Sequence, residues 1–159
     1  MRTHSKRGAR TAVFLVAAWV VGVAMLLAGS AGAAGPRAHA AHTLKGTVTG
    51  HLHLLKSSGS ELIEEGPASG PLSGHIKARL NVGATFSGTF TLYTAHGTIS
   101  GSGKAVPHGE GIYESFSGTS TINHGSGRYA HVHGHGGLFG TFDRKTYGVV
   151  LQTTGTLTY

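Results

Sequence analysis

The sequence predicts an all-β domain, a closed antiparallel β-barrel of about 7–8 strands, preceded by an N-terminal signal helix. Three observations carry that expectation. Apolar and polar residues alternate through residues 41–159 with no sustained helical period, and a period of two places alternate side chains on one face of a strand. Clusters of Gly, Pro, Asn, Ser and Asp interrupt the alternation at short, regular intervals, as turns do in all-β chains. With no helix to cover the apolar face, the sheet has to close on itself or pack on a second sheet. Gly46, Gly50, Gly74, Gly88, Gly118, Gly140 and Gly155 recur in mid-strand, which suits the sharp coiling of a small barrel. A β-sandwich is the alternative.

The N-terminus is of a different kind. "MRTHSKRGAR" carries Arg2, Lys6, Arg7 and Arg10 without an acid, and Thr11 to Gly35 holds no charge. A basic head, the apolar stretch Val13 to Ala28 and small residues after it form a secretory signal. Two sites fit cleavage, Ala31-Gly32-Ala33 and Ala38-His39-Ala40. Residues 1–40 are therefore read as signal peptide and 41–159 as a single barrel domain, secreted and touching membrane only through the signal segment. The alternative is an uncleaved anchor, since the uncharged span reaches the roughly 20 residues that cross a bilayer. There is no cysteine, so neither disulfides nor a lipid-modified cysteine enter the reading.

The barrel domain holds eight Lys and Arg against six acids, a net +2, so the high isoelectric point reports the leader. Its cations are scattered and not interleaved with aromatics, which argues against nucleic acid as a partner.

Strands follow in order. "LKGTVTGHLHLL" sets Leu44, Val48, Leu52 and Leu54 against Lys45, Thr47, Thr49, His51 and His53. "ELIEE" is a possible eighth strand, otherwise a solvated connection carrying Glu61, Glu64 and Glu65, with a turn expected over 66–70. "LSGHIKARL" gives Leu72, Ile76, Ala78 and Leu80 one face, and "TFSGTFTLY" gives Phe86, Phe90 and Leu92 one face with Thr89 opposite. "GTISGSGKA" and "YESFSGTSTI" alternate more weakly. "YGVVLQTTGTLTY" sets Val149, Leu151, Leu157 and Tyr159 against Gln152, Thr154, Thr156 and Thr158. The expected core is Leu52, Ile76, Phe86, Phe90, Leu92, Phe116 and Leu151.

Residues 85–159 contain "SFSGTSTINHGSGRYAHVHGHGGLFGTFD", whose glycine-rich turn, G-x-G-R-Y element and glycine-punctuated strand resemble small secreted barrels related to allene oxide cyclases and dirigent proteins. Gly125, Gly127, Arg128, Tyr129, Gly136 and Gly140 carry the likeness. It implies a barrel fold, with Tyr129 packed over the barrel end and Arg128 on carbonyls of the turn. It carries over no active site, because the plant members' catalytic acids and cavity prolines have no matching positions.

The chemistry-bearing motif is "HVHGH", which puts His131, His133 and His135 two residues apart. Imidazoles at that spacing on a strand are one way to build a zinc, copper or nickel site. Parity with Val132, Leu138 and Phe142 points them to solvent, and an extended run spreads them over about 13 Å; metal binding there is the minor reading. "GTISGSGK" lacks the first glycine and the final Ser/Thr of a phosphate loop, and "GSGRYA" has no helix after it to bind a dinucleotide. No G-x-S-x-G elbow exists, and Asp143 is the only aspartate. The expectation is a non-catalytic binding or interaction module without cofactor, holding at most a small apolar ligand. An enzyme or chirality-guiding barrel, marked by a buried Glu110 or Glu114 near a tyrosine, is the alternative.

Overall fold

The computed structural model describes residues 41–159; the signal segment and both cleavage sites lie outside them. Eight strands run β1 (Thr43–Ser58), β2 (Glu61–Ser69), β3 (Gly74–Asn81), β4 (Phe86–Thr94), β5 (Gly97–His108), β6 (Tyr113–Gly125), β7 (His133–Asp143) and β8 (Val149–Thr158). Each pairs antiparallel with the next, and β8 returns to β1, closing the barrel and ruling out the sandwich. Closure removes both sheet edges, which would otherwise template aggregation. No helix among the described residues is long and apolar enough to cross a membrane.

The strands are strongly staggered. From Leu54, partners lead through Glu64, Ala78, Phe90, Gly101, Ile122, Gly134 and Leu157 back to β1 at Leu44, ten residues before the start. Such a stagger tilts the strands and opens the bore of an eight-strand barrel to the width at which side chains fill it or leave room for one small ligand.

The glycines make that curvature possible. A Cβ on Gly118 would run into the carbonyl oxygen of Lys104, and one on Gly66 into that of His51. At these points neighbouring backbones come closer than any side chain allows.

Strand parity read from sequence holds for β1, β3, β4 and β8. Leu52, Ile76, Leu92 and Phe116 are buried as expected. Phe86, Phe90 and Leu151 also point inward but are only partly buried, because they stand around unfilled space. Thr89 is exposed.

The region from 61 to 70 differs from expectation. It is not a solvated connection followed by a turn at 66; Gly66, Pro67 and Ala68 all belong to β2, and the turn begins at Gly70. Two features hide the strand. Its inward positions are Leu62, Glu64, Gly66 and Ala68, so a carboxyl and a glycine interrupt the apolar face. Pro67 has no paired residue on β1, between Gly50 opposite Ala68 and His53 opposite Glu65, a kind of position at which a strand tolerates proline.

Candidate functional site

The barrel interior has a packed aromatic end, whose rings also border a vacant middle. At the end reached by the β5–β6 and β7–β8 turns, Phe86 meets Phe116 and Phe142 edge-on, with ring centroids 5.8 Å and 5.4 Å apart. Such aromatic contacts add modestly to the area they bury. Glu114 points inward beside them, and Arg144 from the β7–β8 turn holds it at 2.7 Å. The turn is fixed by Asp143, which accepts from the Lys145 N–H at 2.8 Å and the Thr146 hydroxyl at 2.7 Å. Those hydrogen bonds, the hydroxyl's first, hold its carboxyl below the usual range.

The opposite end is closed by the short 3-10 turn Gly127–Tyr129. Tyr129 is buried at this end of the barrel and meets the Tyr159 ring edge-on at 4.9 Å. Arg128 differs from expectation: its guanidinium lies over the Tyr159 ring at 5.4 Å, a cation–π contact, while its backbone N–H donates to the His96 carbonyl at 2.9 Å.

Between the ends lies a cavity of about 130 Å³. Phe90, Ile76, Ile99, Leu138 and Leu151 form much of its wall, and Ser120 and Thr153 are polar residues on it. Gly88 and Gly103 hold inward positions on this wall, and a Cβ on Gly88 would run into the carbonyl oxygen of Arg79.

Glu64 is the unexpected member of this interior. It faces inward from β2, opposite Leu54 on β1 and Ala78 on β3, and is 0 % exposed. Neither carboxylate oxygen has a hydrogen-bond partner. Burial without compensation pushes its pKa up to about 7, because desolvation disfavours the charged form. Ala78, its partner across the ladder, lies on the cavity wall. The signal for Glu64 was parity: it shares the face of Leu62 and Ala68, legible only once "ELIEE" is read as part of a strand.

Glu65, one residue on, faces outward and has its partners. His75 lies 3.3 Å and Lys77 3.5 Å from the same oxygen. The His75 hydrogen bond, then Lys77, holds the Glu65 carboxyl below its ordinary range. Glu61 pairs with Arg79 at 3.3 Å.

The histidines remain apart from this interior. His131 lies in the turn before β7; His133 and His135 lie on β7, and all three are exposed. The His133 Nδ1 is 3.3 Å from the His131 carbonyl. His51 and His53 are likewise on the outer wall. No group of three or more His, Cys, Asp or Glu placed to hold a metal ion occurs among the described residues. Glu110 is exposed, so of the two acids watched for a catalytic role only Glu114 is inside, and it is neutralised by Arg144.

No protein-family model, no curated protein and no solved structure matches the chain.

Proposed function

We propose that this protein is an exported, non-catalytic binding module whose barrel takes up one small apolar ligand. The observation that carries the reading is the apolar cavity of about 130 Å³ inside the closed sheet. A cavity near 150 Å³ lined by Leu, Ile and Phe stays dry and accepts benzene, so this volume suits a single ring or a short alkyl chain. The outer wall supports an aqueous setting: Lys45, Thr47, Thr49, His51 and His53 face out along β1, the reverse of a barrel with a lipid-facing apolar band.

Two other readings stay behind it. The likeness to allene oxide cyclase and dirigent barrels implies conversion of an apolar substrate in the lumen, but the acid watched for that role, Glu114, is occupied by Arg144. Weak metal binding by His131, His133 and His135 rests on their spacing alone.

Thermal melts with toluene test the binding reading. A ligand at a hundred times its Kd stabilises by about 2.7 kcal/mol, so the melting temperature should climb with toluene concentration. Ala105→Leu, which fills the wall, should abolish the climb. A wild-type melt indifferent to toluene would sink the proposal. Export is checked separately by sequencing the mature N-terminus, expected at Ala34 or Ala41; Arg2 or Thr3 from membranes would replace export by anchoring.

A further inference from the structure

Two acidic side chains face the barrel interior, and only one has a reason to be there that the fold itself supplies. Glu114 is matched by Arg144 at 2.7 Å. Glu64 is fully buried, with both oxygens unpartnered. Leaving a buried polar group unpaired costs stability, and an isolated buried charge costs far more. Replacing Glu64 by leucine would remove that cost, so the carboxyl gives nothing to the empty barrel.

The surroundings define what would complete it. Leu54 on β1 and Ala78 on β3 flank Glu64 across the ladders, and neither carries a charge or a donor. Every Lys and Arg of the described residues is exposed on the outer wall or in turns, and Arg144 is committed to Glu114. Ser87, Thr89, Ser120 and Thr153 are the uncharged polar residues of the cavity wall. Among the described residues the lumen therefore holds one uncompensated acid and no cation. An anionic ligand such as a fatty acid would be repelled by that acid once it ionises. A ligand offering only acceptors would satisfy one proton of the neutral acid and leave its other oxygen bare. An ammonium group offers three donors and the opposite charge, which answers both oxygens together.

We propose that Glu64 receives the cationic head of a small amphiphilic amine whose apolar body occupies the adjoining cavity. The inference rests on the lumen-binding reading and names the class of ligand for it. Glu64 does not itself line the cavity; the link is Ala78, which stands both opposite Glu64 and on the cavity wall and whose side chain is a single methyl. Binding converts the buried neutral acid to a carboxylate paired with an ammonium. The acid's proton goes to solvent, so amine affinity rises with pH as long as the amine stays protonated. An uncharged ligand of the same body gains nothing from that ionisation.

The test compares three probes sharing one ring, benzylamine, benzyl alcohol and toluene, titrated calorimetrically into wild type and Glu64→Gln at pH 5 and pH 8. The variant keeps the side-chain shape and removes the charge, and its melting temperature reports that it is folded. The expected result is at least a tenfold preference for benzylamine over toluene at pH 8 in wild type. That preference should shrink at pH 5 and disappear in Glu64→Gln, while toluene binds both proteins alike. Equal affinity for the three probes in wild type overturns the amine assignment and leaves the lumen as a site for neutral ligands. A preference that survives Glu64→Gln places the amine elsewhere and also overturns it. Failure of every probe, toluene included, overturns the binding reading and this inference with it.

Discussion

The packed end of the barrel and its vacant middle are built from the same eight strands, yet they treat buried acid in opposite ways. At the packed end the rings of Phe86, Phe116 and Phe142 meet edge-on and Glu114 is matched by Arg144. Around Phe90 the wall stands back from empty space, and Glu64, opposite the wall residue Ala78, has no partner. A barrel that can fill and neutralise one end is not prevented by its fold from doing so in the middle. The packed end serves as an internal control for both the vacancy and the lone acid.

Removing an aromatic ring is the largest expected perturbation, and it should separate the regions. Phe142, 1 % exposed, should cost about 3–5 kcal/mol on truncation to alanine, as expected for a filled core site. Both rings border the cavity, but Phe90 is only partly buried, so Phe90→Ala should cost about 2 kcal/mol. Chemical denaturation measures both; equal losses would erase the distinction between a filled end and a vacant middle.

The next effect is one of pH. Glu64 in the folded protein titrates at about 7 against an ordinary value of 4.5. The folded state therefore holds this proton more tightly than the unfolded chain. Its contribution is fully present below 4.5 and is lost as pH rises through about 7. The loss should reach roughly 3 kcal/mol at one and a third kcal/mol per pH unit. Unfolding free energies between pH 4.5 and 8 should fall for wild type and stay flatter for Glu64→Gln. The same slope in both proteins would show that Glu64 is solvated. Glu65 has the opposite sign, its contribution present above its ordinary value and lost in acid, but it sits in water and the effect is small.

Arg144→Ala sharpens the comparison from the other side. It leaves Glu114 buried and alone, converting the packed end into a second version of the Glu64 site. Because the arginine is itself partly solvated, at 46 % side-chain exposure, the expected loss is about 1–2 kcal/mol at neutral pH. That loss should be relieved by Glu114→Gln in the same chain. No relief in the double variant would mean that Arg144 acts through packing on the Phe142 ring, 6.0 Å away. The smallest effect is at Thr89, on the outer wall beside Phe90; Thr89→Ala should stay within about 0.5 kcal/mol of wild type.

Much of this architecture is legible in the sequence alone. The parity of "TFSGTFTLY" put Phe86, Phe90 and Leu92 inside and Thr89 outside, and the same reading placed His133 and His135 on the outer wall. The candidate site was not legible. "ELIEEGPAS" reads as a polar, breaker-rich connection because its inward face is Leu, Glu, Gly, Ala, and no local pattern distinguishes a strand with a buried acid from a solvated loop with three acids.

Alternation, glycine spacing and the absence of a helical period determined an all-β domain and which face of most strands is apolar, because side-chain direction along a strand is a local property of the chain. The pairing of β8 with β1, the ten-residue stagger, the unfilled lumen and the burial of Glu64 were decided only by closure of the barrel. Stagger sets which residues from distant strands meet at one level of the bore, and that meeting decides whether a charge finds a partner and whether side chains fill the space. Neither outcome is a property of any one segment.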